Sequence, residues 1–253
     1  GLVCGSVCAC MGPDRDLRGT PQQQKTGLDY MKTIIDQMVV LDCPSLIGPV
    51  YSAVGRADAV PPDEYKKQWA TVVKHLKTLS KHAEKRGRQV CLEPLNRFET
   101  DFINTCDQGL KMIKAVGSPA LKLHLDTFHM NIEEKNQAAA IRKADEDAGG
   151  GWLARCDWLA NVQQMAFPGM DVVGLLPKEL GISPATRIEK PPYGDAPIQL
   201  ISDAANAVAS GEAKVCVACG GEALRTAAKR PQDGGAKLFG NAAAVSTDVQ
   251  RRY

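Results

Sequence analysis

A chain of 253 residues that is 44% hydrophobic with a formal net charge of +2 can bury one large or two small cores, and its near-neutral balance gives no reason to invoke nucleic acid or a membrane surface as a partner. No apolar run reaches the roughly 18 residues that would span a bilayer, and no charged-then-apolar leader precedes a cleavage-like site, so the expected compartment is the cytoplasm. Nine cysteines, an odd number placed in runs such as KVCVAC and QVCLEP, read as small core residues in a reducing compartment and not as a disulfide framework.

In chain order, Leu2 to Cys10 is strand-like, and Cys8 and Cys10 are expected as buried strand residues. Leu28, Met31, Ile34, Ile35, Met38 and Val39 recur at helical spacing and predict a helix over 26–41. Ser45 to Val50 is a second strand. Pro61 and Pro62 open a helix with the apolar face Tyr65, Trp69, Val72, Val73, Leu76 and Leu79, and Gly87 is placed to cap it. His75 and His82 sit on that helix among lysines and read as a solvated face. Gln89 to Leu95 is the next strand, a helix from Asp107 to Val116 stops at Gly117, and Leu121 to Asp126 is a fourth strand. Strict alternation of strand and helix predicts an α/β fold with a parallel sheet, doubly wound or closed as a barrel.

At DEDAGGGW the texture changes, and a boundary is placed there: one domain over 1–147 and a second over 148–253. In the second part, Pro197 to Ser210 is a helix with Ile198, Ile201, Ala205 and Val208 on one face, followed by a strand from Ala213 to Cys219 and the turn Gly220-Gly221. The tail from Pro231 has few large apolar residues and is expected to be loose.

Two of the predicted strands end in acids, Glu93 and Asp126. Parallel strands present their carboxyl ends to the functional face of such folds, so these two carboxylates are the first candidates for a metal or proton-transfer site. The alternative is structural, as loop caps or as ion-pair partners of Arg97 or Lys122.

The segments CACMGPDRDL, GPVYSAVGRA, CLEPLNRFETDFINTCDQ and LKLHLDTFHMNIEE resemble the ketose 3-epimerases of the D-tagatose and D-psicose 3-epimerase group, xylose-isomerase-like TIM barrels, over residues 1–145. The resemblance implies a partial TIM barrel of about four βα units, metal-dependent C3 epimerisation of a ketose through an enediolate, and a divalent ion, Mn, Co or Mg. It further implies Glu93 as metal ligand and acid/base, Asp126 as second ligand, and Glu99 and His129 as contacts to the sugar hydroxyls. The chain starts at what resembles the third barrel strand. Its four histidines are His75, His82, His124 and His129, so the family's later ligand His and partner Glu are expected to be missing, the ion weakly held and the site incomplete.

Residues 150–240 resemble a thiolase-like segment of the acetyl-CoA acetyltransferase group, an α/β fragment with an acyl-CoA relation. Gly194 stands where that group places its nucleophilic cysteine, so no thiolase nucleophile is expected, and Cys216 and Cys219 read as strand residues. The competing readings are therefore an acyl-CoA-related binding or scaffold module and a fused fragment without complete activity. A small-molecule ketose is the expected partner, with self-association into a homo-oligomer as a further option.

Overall fold

The computed structural model describes residues 3–167 and 169–221; the tail from Pro231 lies outside them. The chain divides into two compact units between Gly150 and Gly151.

In the first unit, β1 (Ser6–Cys8), α1 (Pro21–Val40), β2 (Ser45–Gly48), α2 (Pro62–Lys85), β3 (Gln89–Leu92), α3 (Cys106–Val116) and β4 (Leu121–Leu123) alternate, and α4 (Thr127–Glu133) and α5 (Gln137–Ala144) follow. The four strands are parallel and lie in the order β1-β2-β3-β4. Every crossover therefore moves in the same direction, the winding of a barrel and not of a doubly wound sheet.

Register explains how the helices find one face. Val7, Leu46, Val90 and Leu121 align across all four strands, and with Leu92 they join a core that includes Met31, Ile35, Met38, Val72, Leu76, Leu79, Met112 and Val116. Side chains alternate along a strand, so the adjacent row, Cys8, Ile47, Cys91 and Lys122, takes the opposite face. This corrects the expectation for Cys8 and Cys10. Both are exposed, and Ala9 between them is the buried residue.

Helix boundaries follow local chemistry. Thr20 and Gln23 form a capping box at α1, with Pro21 at its first position, and Thr105 and Gln108 form another at α3, whose end is set by Gly117 in the left-handed region. His75 and His82 are half-buried bridges, contrary to the solvated-face reading. Their Nε2 atoms lie 2.9 Å from Gln24 Oε1 and 2.9 Å from Asp36 Oδ1, tying α2 to α1.

In the second unit, β5 (Trp158–Val162), α6 (Val172–Leu180), β6 (Thr186–Lys190), α7 (Ala196–Ser210) and β7 (Cys216–Gly220) form a three-stranded parallel sheet in the order β6-β5-β7. Asp157 starts the central strand and accepts the backbone N–H groups of Lys214 at 2.9 Å and Val215 at 3.1 Å. The apolar face expected for α7 is exposed, with Ile198 at 73% and Ile201 at 63%. The helix instead lays Leu200, Ala204 and Ala207 on Trp158, Ala160 and Cys216. The small side chains bring the backbones close, and the Cys216 thiol reaches the Ala204 carbonyl at 3.7 Å. Among the described residues no helix is long and apolar enough to cross a membrane.

Candidate functional site

Because β3 and β4 are parallel neighbours, the residues that follow them meet at one edge of the sheet. Glu93 comes directly after β3, is 8% exposed, and donates its backbone N–H to the Gly48 carbonyl at 3.0 Å. It shares the parity of Cys91, so it stands on the face away from the helices. Asp126 N-caps α4. Its Oδ1 accepts the Phe128 N–H at 2.7 Å, and its Oδ2 lies 3.9 Å from His129 Nε2. The structural and functional readings of Asp126 thus use different oxygens of one carboxylate.

Ligand atoms of Glu93, Asp126 and His129 all lie within 4.8 Å of one another. The two carboxylates, hard oxygen donors at one edge, suit a divalent ion such as Mn, Co or Mg, so they fit the metal that the sequence resemblance implies.

Glu99 reaches the same cluster through an intermediary. Asn96, 2% exposed, donates from its side-chain amide to Glu99 Oε1 at 2.8 Å, and both its amide nitrogens approach His129 Nδ1, at 3.1 Å from the backbone and 2.9 Å from the side chain. All four residues singled out from the sequence, Glu93, Glu99, Asp126 and His129, are therefore in one connected group. Arg97 stands apart from the two carboxylates and makes a two-pronged pair with Glu133, at 2.9 and 3.0 Å, which holds the Glu133 carboxyl below its ordinary pKa.

Sequence reading missed His124 and Asn96. His124 Nδ1 is 3.4 Å from Glu93 Oε1, long for a hydrogen bond, and the Glu93 carboxylate beside it raises the imidazole pKa against the opposing effect of burial. The signal was available in HLD: two residues before Asp126 on an extended segment is the same face. On that face the Cys8 thiol is pushed up by partial burial and then by the charge of Glu93.

The loops that carry these groups are stitched together. Arg18, with a fully buried side chain, pairs with Asp101 at 2.6 Å, donates to Gln68 Oε1 at 2.9 Å and Ser52 Oγ at 3.3 Å, and covers the Phe102 ring at 4.6 Å. Loops after β1, β2 and β3 thus share one buried guanidinium. The loop of residues 94–105 also closes on itself, because the Asn104 amide donates to the carbonyls of Leu95 at 2.8 Å and Thr100 at 2.9 Å.

In the second unit, Gly194 lies in an exposed turn before α7, and Cys216 and Cys219 are residues of β7 whose thiols are pushed up by burial. Neither thiol is activated as a nucleophile by its surroundings.

The family model of the xylose isomerase-like TIM barrel matches residues 2–150. The chain is similar to a D-psicose 3-epimerase of Enterocloster bolteae, 35% identical over 129 residues that cover 51% of this chain and 42% of the relative. It is similar as well to a D-psicose 3-epimerase of Ruminiclostridium cellulolyticum, 34% identical over 145 residues covering 57% of this chain and 47% of the relative. A solved structure of an L-ribulose 3-epimerase superposes with a TM-score of 0.55 at 24% identity, covering 75% of this chain and 62% of that one, which bears on the fold. The chain spans less than half the length of these two curated relatives. The thiolase-like reading of residues 150–240, its acyl-CoA partner and the fusion reading gain no support from these comparisons.

Proposed function

Because the chain belongs to the xylose isomerase-like TIM-barrel family, a family in which its curated relatives are sugar epimerases, we propose that residues 1–150 carry the proton-abstracting side of a ketose 3-epimerase site. The observation that carries this reading is the convergence of Glu93, Asp126 and His129 at the carboxyl edge of two neighbouring parallel strands.

Glu93 and Asp126 are the residues that would hold a divalent ion, which when bound supplies a Lewis acid for adjacent oxygens of an open-chain ketose. In this reading Glu93 takes the C3 proton. The electron pair left on C3 moves into the C2 carbonyl and produces an enediolate, and a proton returned to the same face regenerates substrate. Inversion needs a proton delivered to the opposite face by a second acid, and no described residue is assigned that role. In this reading His129 and Glu99 contact sugar hydroxyls. Loss of one general acid or base costs about 10²- to 10⁴-fold, so proton exchange at C3 reads the Glu93 step separately from inversion.

The test is fructose incubated with the purified chain and Mn²⁺ in D₂O. Deuterium entering C3, and no deuterium entering with Glu93→Gln, is the expected result. A chain that binds no Mn²⁺ and exchanges no C3 proton overturns the proposal. Robust epimerisation abolished by Glu93→Gln would show instead that the second acid is also present.

A further inference from the structure

The cluster around His129 contains a constraint on its chemistry that metal-ligand geometry alone does not reveal. A neutral imidazole has one N–H donor and one acceptor nitrogen. A backbone N–H can only donate, and the Asn96 N–H points at His129 Nδ1 at 3.1 Å, so Nδ1 is the acceptor and the ring proton resides on Nε2.

The Asn96 side chain reinforces the assignment. Its Oδ1 accepts the Phe98 N–H at 2.9 Å, which fixes which end of the amide is the NH₂. That NH₂ then lies 2.8 Å from Glu99 Oε1 and 2.9 Å from His129 Nδ1, where it shares the single Nδ1 lone pair with the backbone N–H. Asn96 is 2% and His129 7% exposed, so water is a poor competitor for these positions.

A histidine that ligates a metal uses an unprotonated nitrogen and commonly donates its other N–H to a carboxylate or carbonyl. Here the second nitrogen receives hydrogen bonds instead, the reverse of that arrangement. We propose that Asn96 is a positioning residue that holds His129 as the Nε2–H tautomer, so that within the site of Glu93 and Asp126 this ring offers a hydrogen-bond donor to a substrate oxygen and is not a metal ligand. The same amide sets Glu99, and a single buried side chain thereby aligns a donor and an acceptor for neighbouring hydroxyls of a polyol. The substrate-directed part rests on the ketose-epimerase reading; the tautomer does not.

Long-range ¹H–¹⁵N NMR of the full chain, with the His129 ring assigned by comparison with His129→Gln, reads the tautomer without turnover. The expected spectrum shows a pyridine-type Nδ1 and a pyrrole-type Nε2, unchanged when saturating diamagnetic Mg²⁺ is added. Asn96→Asp places a carboxylate oxygen where the amide NH₂ was and is expected to move population toward Nδ1–H. A wild-type ring protonated on Nδ1, or loss of the Nε2 proton on adding Mg²⁺, would overturn the proposal, and an Asn96→Asp ring with an unchanged pattern would overturn the part assigned to the Asn96 side chain, since that variant keeps the backbone N–H. Failure of the deuterium-exchange test with the tautomer intact would strike only the epimerase reading.

Discussion

The Gly48 carbonyl accepts the Glu93 backbone N–H at 3.0 Å, and Gly48 itself has φ +123°. A Cβ added there would lie 2.9 Å from the Ala9 carbonyl oxygen, so the position is closed to other residues by both backbone conformation and space. Gly48→Ala is expected to destabilise the chain by about 1–3 kcal/mol and to weaken Mn²⁺ binding, because relief of the clash moves the partner that orients Glu93. Urea unfolding and a metal titration on the same sample check both; an unchanged urea midpoint would contradict the strain argument.

Removal of either carboxylate should be felt directly by a bound ion. Glu93→Gln and Asp126→Asn are each expected to lower Mn²⁺ affinity by more than the 10–100-fold typical of outer-shell changes, as read by electron paramagnetic resonance of free Mn²⁺. Asp126→Asn keeps an oxygen to accept the Phe128 N–H, so its stability should fall less than that of Asp126→Ala. If Mn²⁺ binds the double variant as it binds wild type, the ion sits elsewhere.

Arg18 makes a different kind of prediction. Its side chain is wholly buried and its partner Asp101 is 9% exposed, so Arg18→Ala leaves a largely buried carboxylate without its cation. Breaking such a pair typically costs about 3–5 kcal/mol, and a loss of that order is expected in chemical denaturation. A cost near zero would mean that Asp101 finds water or another donor.

The second unit has an acid-sensitive joint. The N–H groups of Lys214 and Val215 hold the Asp157 carboxyl below its ordinary pKa. A depressed folded-state value contributes stability that is fully present above the unfolded pKa, about 3.9, and is lost as pH falls through the folded one. Asp157→Asn should therefore lower the thermal midpoint at neutral pH, and its difference from wild type should shrink as the pH drops below about 4. A difference that stays constant across that range would exclude the linkage.

Much of the first unit was legible because its helices bury regular stripes. Met31, Ile35 and Met38 on α1 and Val72, Leu76 and Leu79 on α2 are all fully buried, and their spacing was read directly. The start of α1 was placed too late, since its polar first turn hides the helix from an apolar pattern while the Thr20–Gln23 box and Pro21 announce it. Strand β4 ends at Leu123 and not at Asp126, because the acid is recruited as a helix cap. In the second unit β5, α6 and β6 escaped notice. TRIEK carries only one large apolar residue, and α6 contains Pro177, a residue that ordinarily argues against a helix interior. Asn96 was invisible for a deeper reason: half of its contribution comes from a backbone N–H, which every residue but proline possesses, and only the fold decides where it points.

The self-closed loop of residues 94–105 separates two kinds of inheritance. Its shape is written into internal bonds from Asn104 and Asn96, whereas its tip carries Phe98, 74% exposed and joined to the frame through a main-chain N–H. Side chains at that tip can be exchanged by mutation while the acids behind it keep their places. A lineage built on this frame could thus vary what the loop tip presents without re-inventing the arrangement of Glu93 and Asp126 behind it.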